Sequence, residues 1–186
     1  MFFMTPSVRA DAVRSRERIL EVAKGHDAAD LRLNEVAREA GVGVGTVYRH
    51  FPTVRALVEA LSVESLRRLG DAADAAAREP DPLVALRRFL DDALALQLAD
   101  SGLQAVLVDL ERSDPAVHSE CTAARAQVHA GFGTVLARAQ ATGAVRADLS
   151  AAQLQRLVCG VEHAVRLGSP ADRPVLLDVL IAGIRA

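Results

Sequence analysis

The sequence contains no tryptophan, and aromatic residues make up only 3% of its 186 positions. A core must therefore be filled by aliphatic and small side chains. Such side chains let helices approach closely and suit an all-α chain. Cysteine is scarce too, with Cys121 and Cys159 the two present. Two thiols cannot form a disulfide framework, so a reducing, cytoplasmic location is expected. No uninterrupted apolar run nears the ~20 residues that a membrane span needs. The N-terminal MFFMTPSVRADAVRSR lacks the apolar stretch of a signal peptide, and no internal repeat is visible. No membrane partner is expected. With 51% hydrophobic residues, the chain has enough apolar matter to fold.

Charge is nearly balanced. Residues 1–55 hold nine Lys/Arg against seven Asp/Glu, and the remainder holds thirteen against seventeen. The asymmetry is small, but its sign suits an N-terminal module that meets a polyanion.

Apolar residues recur at helical spacing almost throughout, and about nine helices are predicted. Pro6 marks residues 1–8 as a loose leader, and a first helix spans about Ala10 to Lys24, with Val13, Ile19, Leu20 and Ala23 inward. A second runs over about 33–40 and ends at Gly41, and a third over about 44–50. After Pro52 and Thr53, a fourth reaches about Ala77. Glu79-Pro80-Asp81-Pro82 is the clearest linker. The next helix carries Leu83, Leu86, Leu90, Ala93 and Leu94, and a short one spans about Leu103 to Leu110. A long helix places Val117, Cys121, Ala124, Val128, Phe132, Val135 and Ala139 on one face, and Gly143 ends it. Ser150 is a natural cap for the helix 151–168, and a last helix from about Asp172 carries VLLDVLIAGI.

Residues 33–51, LNEVAREAGVGVGTVYRHF, carry the strongest functional signal. Gly41 permits a tight turn between two short helices, which Val36 and Val47 can pack together. The second helix opens on Val44, Gly45 and Thr46, small enough to press its end against a surface. Thr46, Tyr48, Arg49 and His50 then offer hydroxyl, phenol, guanidinium and imidazole groups within five residues. These groups bond phosphate oxygens and base edges. A helical hairpin with a Gly turn is common by itself, so the weight rests on this cluster.

The run AGVGVGTVYRHFP followed by ALVEAL, with RERIL upstream, resembles the signature of Tet repressor-like (TetR) regulators. The resemblance covers about residues 14–61. It implies an N-terminal helix-turn-helix unit over 1–53 and an effector-binding and dimerisation unit over 54–186. By position it assigns Thr46, Tyr48 and His50 to DNA contact, and Val44, Gly45 and Arg49 to variable base reading. Arg32 and Asn34 at the start of the second helix, and Arg55, complete the expected DNA-binding set. Two departures stand out. Val54 occupies a position where the family usually has Lys, and Arg55 points about 100° away around the helix. Arg32 stands where a Thr cap is usual and cannot accept the amide bonds that Thr would. The link between the first two helices is also about one turn shorter than usual, so a short or irregular first helix is expected.

The resemblance also implies a homodimer on a palindromic double-stranded operator, a small-molecule effector, and repression released by that effector. The expected effector pocket combines aliphatic walls with a few polar groups, in Leu90, Leu94, Gln97, Asp109, Val128, Phe132 and Glu162. With so few aromatics, flexible or aliphatic ligands suit it better than flat polycyclic ones. The expected dimer contact is Leu154, Leu157, Val161, Val165, Leu176, Leu180 and Ile184, with Gly160 and Gly183 allowing close crossing.

Other signals favour plainer explanations. His118-x-x-Cys121 and Cys159-x-x-x-His163 have metal-pair spacing, but two buried thiols and two surface imidazoles are the stronger reading. The polar face Arg156, Cys159, Glu162, His163 and Arg166 is either solvated, with a Glu162–Arg166 pair, or one wall of a pocket. Gly-Val-Gly-Val-Gly precedes no phosphate-loop lysine, and no nucleophile–base pattern occurs. No enzyme activity, metal or cofactor is expected. The competing function is a helical ligand- or protein-binding module without a specific operator.

Overall fold

The computed structural model describes residues 6–108 and 119–186. Among these residues the fold is all-α, with nine α-helices, one 3-10 turn and no strand. The helices are α1 (Pro6–Ala23), α2 (Leu33–Glu39), α3 (Val44–His50), α4 (Val54–Arg78), α5 (Pro82–Ala99), α6 (Leu103–Val108), α7 (Ser119–Ala141), α8 (Ala151–Leu167) and α9 (Arg173–Ile184). The turn Pro170–Asp172 leads into α9.

The first helix corrects the sequence expectation twice. It begins at Pro6, because proline fits the first turn of a helix, where no amide bond is lost. It is also one uninterrupted helix of 18 residues, neither short nor irregular. Val13 is exposed, since nothing from Ala10 to Arg18 is buried and only the end of α1, through Ile19 and Ala23, joins the core. Gly41 closes α2 with φ 63°, in the left-handed region that glycine enters without strain. Thr53 caps α4 by accepting from Ala56 N at 3.1 Å, and Asp81 caps α5 by accepting from Leu83 N and Val84 N. Ser150 caps α8 as expected, in a reciprocal capping box with Gln153.

The body is built around α4, α5 and α7. Its close packing depends on small residues: a Cβ at Gly131 of α7 would lie 2.6 Å from the Ala73 Cβ of α4. The α4 C-terminus receives Arg138 of α7, which donates to the carbonyls of Ala76, Ala77 and Glu79 at 2.8–3.1 Å. Helix α5 is buried on more than one side, with Phe89 and Leu96 joining Leu86, Leu90, Ala93 and Leu94, because α4, α7, α8 and α9 all pack on it. Phe89 stacks on Phe132 with ring centroids 5.3 Å apart. No helix among the described residues is long and apolar enough to cross a membrane.

Candidate nucleic-acid interface and effector cavities

Helix α3 stands on two anchors. Val47 is fully buried against α2, where Val36 and Ala37 are also buried, and Phe51 just beyond the helix is fully buried. The Arg16 guanidinium lies 5.6 Å from the centroid of the Phe51 ring, a cation–π contact from α1. With Val47 held inward, Val44 and Tyr48 are each 46% exposed, and Gly45 and Arg49 are exposed beside them. Arg49 lies back along its own helix, donating to Gly45 O at 3.1 Å and Thr46 Oγ1 at 3.2 Å. Both bonds are exposed and to uncharged acceptors, so a phosphate or guanine edge can replace them at small cost. Burial first, then the charges of Arg16 and Arg49, hold the His50 imidazole below its usual pKa.

The structure thus gathers Val44, Gly45, Thr46, Tyr48, Arg49 and His50 on one short helix, with Asn34 exposed on the first turn of α2. Arg32 does not cap α2, and its guanidinium donates to the carbonyls of Ala29 and Leu31 instead. Arg55 stands on the first turn of α4. Its Nε donates to Glu59 Oε1 at 2.9 Å, one turn along α4.

The helix-turn-helix and the body meet directly at a joint of two loops. Ser101 Oγ accepts from the Ala28 amide at 2.9 Å, linking the α1–α2 loop to the α5–α6 loop. Asp100 Oδ1 accepts from Gly102 N, Leu103 N and Ser62 Oγ, which fixes that second loop on α4. Gly102 is required there, since a Cβ would sit 2.6 Å from Val58 Cγ1.

The expected effector residues are almost all interior. Leu90, Leu94, Gln97, Val128, Phe132 and Glu162 are buried, and Asp109 lies outside the described residues. Leu90, Leu94 and Val128 fill the core. Phe132 also lines a cavity of about 330 Å³, with Leu107, His129 and Gln155 among its other walls. Burial, aided by the Arg125 charge, lowers the His129 pKa, and its Nε2 has no hydrogen-bond partner. The solvated-face expectation for α8 holds for the exposed Arg156, His163 and Arg166 and needs correction at Glu162 and Cys159. Glu162 does pair with Arg166, yet Glu162 and Cys159 are buried because that edge of the face packs on α5. Arg166 reaches across to Gln97 O at 2.8 Å, and Gln97 Nε2 is left unpartnered. Both cysteines are buried free thiols, and burial pushes the Cys121 pKa up to about 11.

The expected dimer set divides in the same way. Leu154 and Val165 are buried in their own protomer, because they lie on the inward face of α8. Leu157, Val161 and Leu176 instead line an apolar groove of about 480 Å³ between α8 and α9, which includes Gly160 and Gly183 and is floored by the buried Leu180 and Ile184. Val179 on the same groove is 65% exposed.

Residues 18–61 match the family model "Bacterial regulatory proteins, tetR family", and residues 81–186 match "Transcriptional regulator SbtR-like, C-terminal domain". The chain belongs to the TetR family. It is therefore a DNA-binding transcriptional regulator by family. A curated relative, the HTH-type transcriptional regulator SAB2452 of Staphylococcus aureus (strain bovine RF122 / ET3-1), is 40% identical over 48 residues, covering 24% of this chain and 26% of that protein. The chain thus matches about a quarter of that relative's length. The TetR regulator SCO0520 of Streptomyces coelicolor is 28% identical, with a TM-score of 0.54 over 91% of this chain and 98% of its own. FadR of Bacillus subtilis, solved with stearoyl-CoA, shares the fold at 15% identity, with a TM-score of 0.59 over 93% and 99% of the two chains.

Three features of this TetR chain have no simple sequence signal. These are the burial of Glu59, the capping of α4 by Arg138, and the Ala28–Ser101 bond. Arg55 and Glu59 do show i, i+4 spacing, but nothing in that spacing says which partner is buried.

Proposed function

We propose that this TetR-family protein is a homodimeric repressor that works in the cytoplasm, reads a palindromic operator through α3, and leaves it when a small molecule binds. The carrying observation is the two-sidedness of α3, with Val47 fully buried and Val44, Gly45, Tyr48 and Arg49 outward. A helix held this way can enter a major groove without losing core contacts. In this reading residues 1–53 form the DNA-binding unit and 54–186 bind effector and partner. The groove between α8 and α9 joins two copies, so that two α3 helices meet successive major grooves about 34–36 Å apart. Only Phe51, Pro52 and Thr53 separate α3 from α4, so a shift of α4 alters the spacing of the two heads. An effector that favours another spacing weakens operator binding by its differential affinity.

The test is fluorescence anisotropy with the labelled DNA upstream of the gene, against a scrambled duplex, over a range of salt. Specific binding with a steep salt dependence is expected, because phosphate contacts dominate affinity. Equal affinity for promoter fragments drawn from the whole genome would overturn the proposal.

A further inference from the structure

Glu59 is 1% exposed, and the structure uses only half of its carboxylate. Oε1 accepts from Arg55 Nε at 2.9 Å, while Oε2 is buried without a hydrogen-bond partner. A buried acceptor without a donor is costly, because its lost hydration is not replaced. The residue lines a cavity of about 440 Å³ between the first turns of α4, the α1–α2 loop and α6. Val54, Val58, Ala105 and Val106 give this cavity aliphatic walls, and Arg55, Glu59 and Ser101 supply its polar atoms.

We propose that this cavity is a binding site for a small aliphatic primary amine, whose ammonium donates to Glu59 Oε2 and whose alkyl chain lies on the valines. An ammonium bond to a carboxylate is charge-assisted and stronger than that of an alcohol. The compact –NH₃⁺ head suits the approach between small residues, and the valines offer an unbranched chain area to cover. The walls come from both sides of the joint. Ala28 and Ala29 belong to the loop leading into α2, whereas Ala105 and Val106 belong to α6. The Ala28–Ser101 bond crosses the same joint. A molecule seated here touches the helix-turn-helix and the body together, so its affinity depends on the angle between them. Amine binding that favours one angle therefore changes operator affinity, and the operator changes amine affinity by the same factor. This coupling rests on the operator-binding function proposed above; amine binding itself does not.

The experiment uses the full-length protein with hexylamine hydrochloride and hexanol, at ionic strength matched with potassium chloride. Calorimetry reports binding and anisotropy reports operator affinity. Hexylamine should bind wild type at least roughly tenfold more tightly than hexanol, in line with the value of a charged hydrogen bond. Glu59→Gln should erase that preference. Ala105→Leu fills the cavity from an exposed wall position and should weaken both ligands while the fold is retained, so it serves if Glu59→Gln fails to fold. Equal hexylamine binding in wild type and both variants, or none in wild type, overturns the site. Amine binding that Ala105→Leu removes, with operator affinity unchanged by amine, supports the site and overturns the coupling. Failure of the ligand-free protein to prefer any operator counts against the repressor function alone, since the calorimetry stands without DNA.

Discussion

Gly160 offers a sharp perturbation of the proposed dimer. It sits within α8 on the groove with α9, and an added Cβ there would meet nothing within 4 Å in its own protomer. Replacing a helix-interior glycine by alanine at such a place gains about 0.5–1 kcal/mol, because glycine gives up more backbone freedom on folding. For a chain of this size that raises Tm by about 1–4 °C. Those figures describe a protomer whose groove faces water. If a second copy crosses here, a leucine must push the two copies apart. Overpacking costs about 1–3 kcal/mol per site, and two-fold symmetry counts it twice. The dimer dissociation constant should then rise roughly 30- to 20,000-fold, at tenfold per 1.4 kcal/mol. Gly160→Leu should therefore keep its helical circular dichroism, run as a monomer near 20 kDa in light scattering at low micromolar concentration (the chain mass is 19.7 kDa), and lose most operator affinity. A Gly160→Leu protein that remains a dimer, melts higher and binds DNA normally would refute the reasoning.

Arg49→Ala should relax discrimination at one base pair by about 1–3 kcal/mol, while Tyr48→Phe weakens all sites alike; anisotropy on a panel of single-base operator variants separates the two. His50 is held below its usual pKa, so the free protein carries it neutral at pH 7. A phosphate beside it would raise that pKa, so complex formation takes up a proton and operator affinity should rise as pH falls from 8 to 6, a trend His50→Gln should flatten. For stability the sign is opposite. A depressed histidine pKa favours the fold above the unfolded value, and that contribution is lost as pH falls through the folded value. Arg138→Ala removes three bonds to the α4 terminus and should cost about 1.5–3 kcal/mol in urea denaturation, with Arg138→Lys restoring less than half of it.

Local signals were legible in the sequence. Gly41, Ser150 and the 33–51 hairpin follow from turn and cap chemistry, which depends on neighbours in the chain. What was not legible depends on which surface a helix meets. The apolar residues of α8 form a broad stripe, and periodicity does not say that Leu154 and Val165 face their own core while Leu157 faces outward. The same applies to Leu90 and Leu94, which read equally well as pocket wall or filling until α7, α8 and α9 are seen around α5. Val13 fits the inward stripe of α1, but no element among the described residues covers it. The buried carboxylates of Glu59 and Glu162 look like solvent-facing charges because their burial comes from helices distant in the chain.

The division of labour within α3 has a consequence for redesign. Val47 and Phe51 are fully buried, whereas Val44, Gly45, Tyr48 and Arg49 are exposed. Exchanges at exposed positions away from special features usually change stability by less than about 0.5 kcal/mol. The four outward positions therefore form an exchangeable set within the seven-residue helix α3, bounded by Gly43 and Phe51. A library that randomises them while keeping Val47 and Phe51 should yield mostly folded proteins, so selection on such a library would act on DNA preference almost independently of folding.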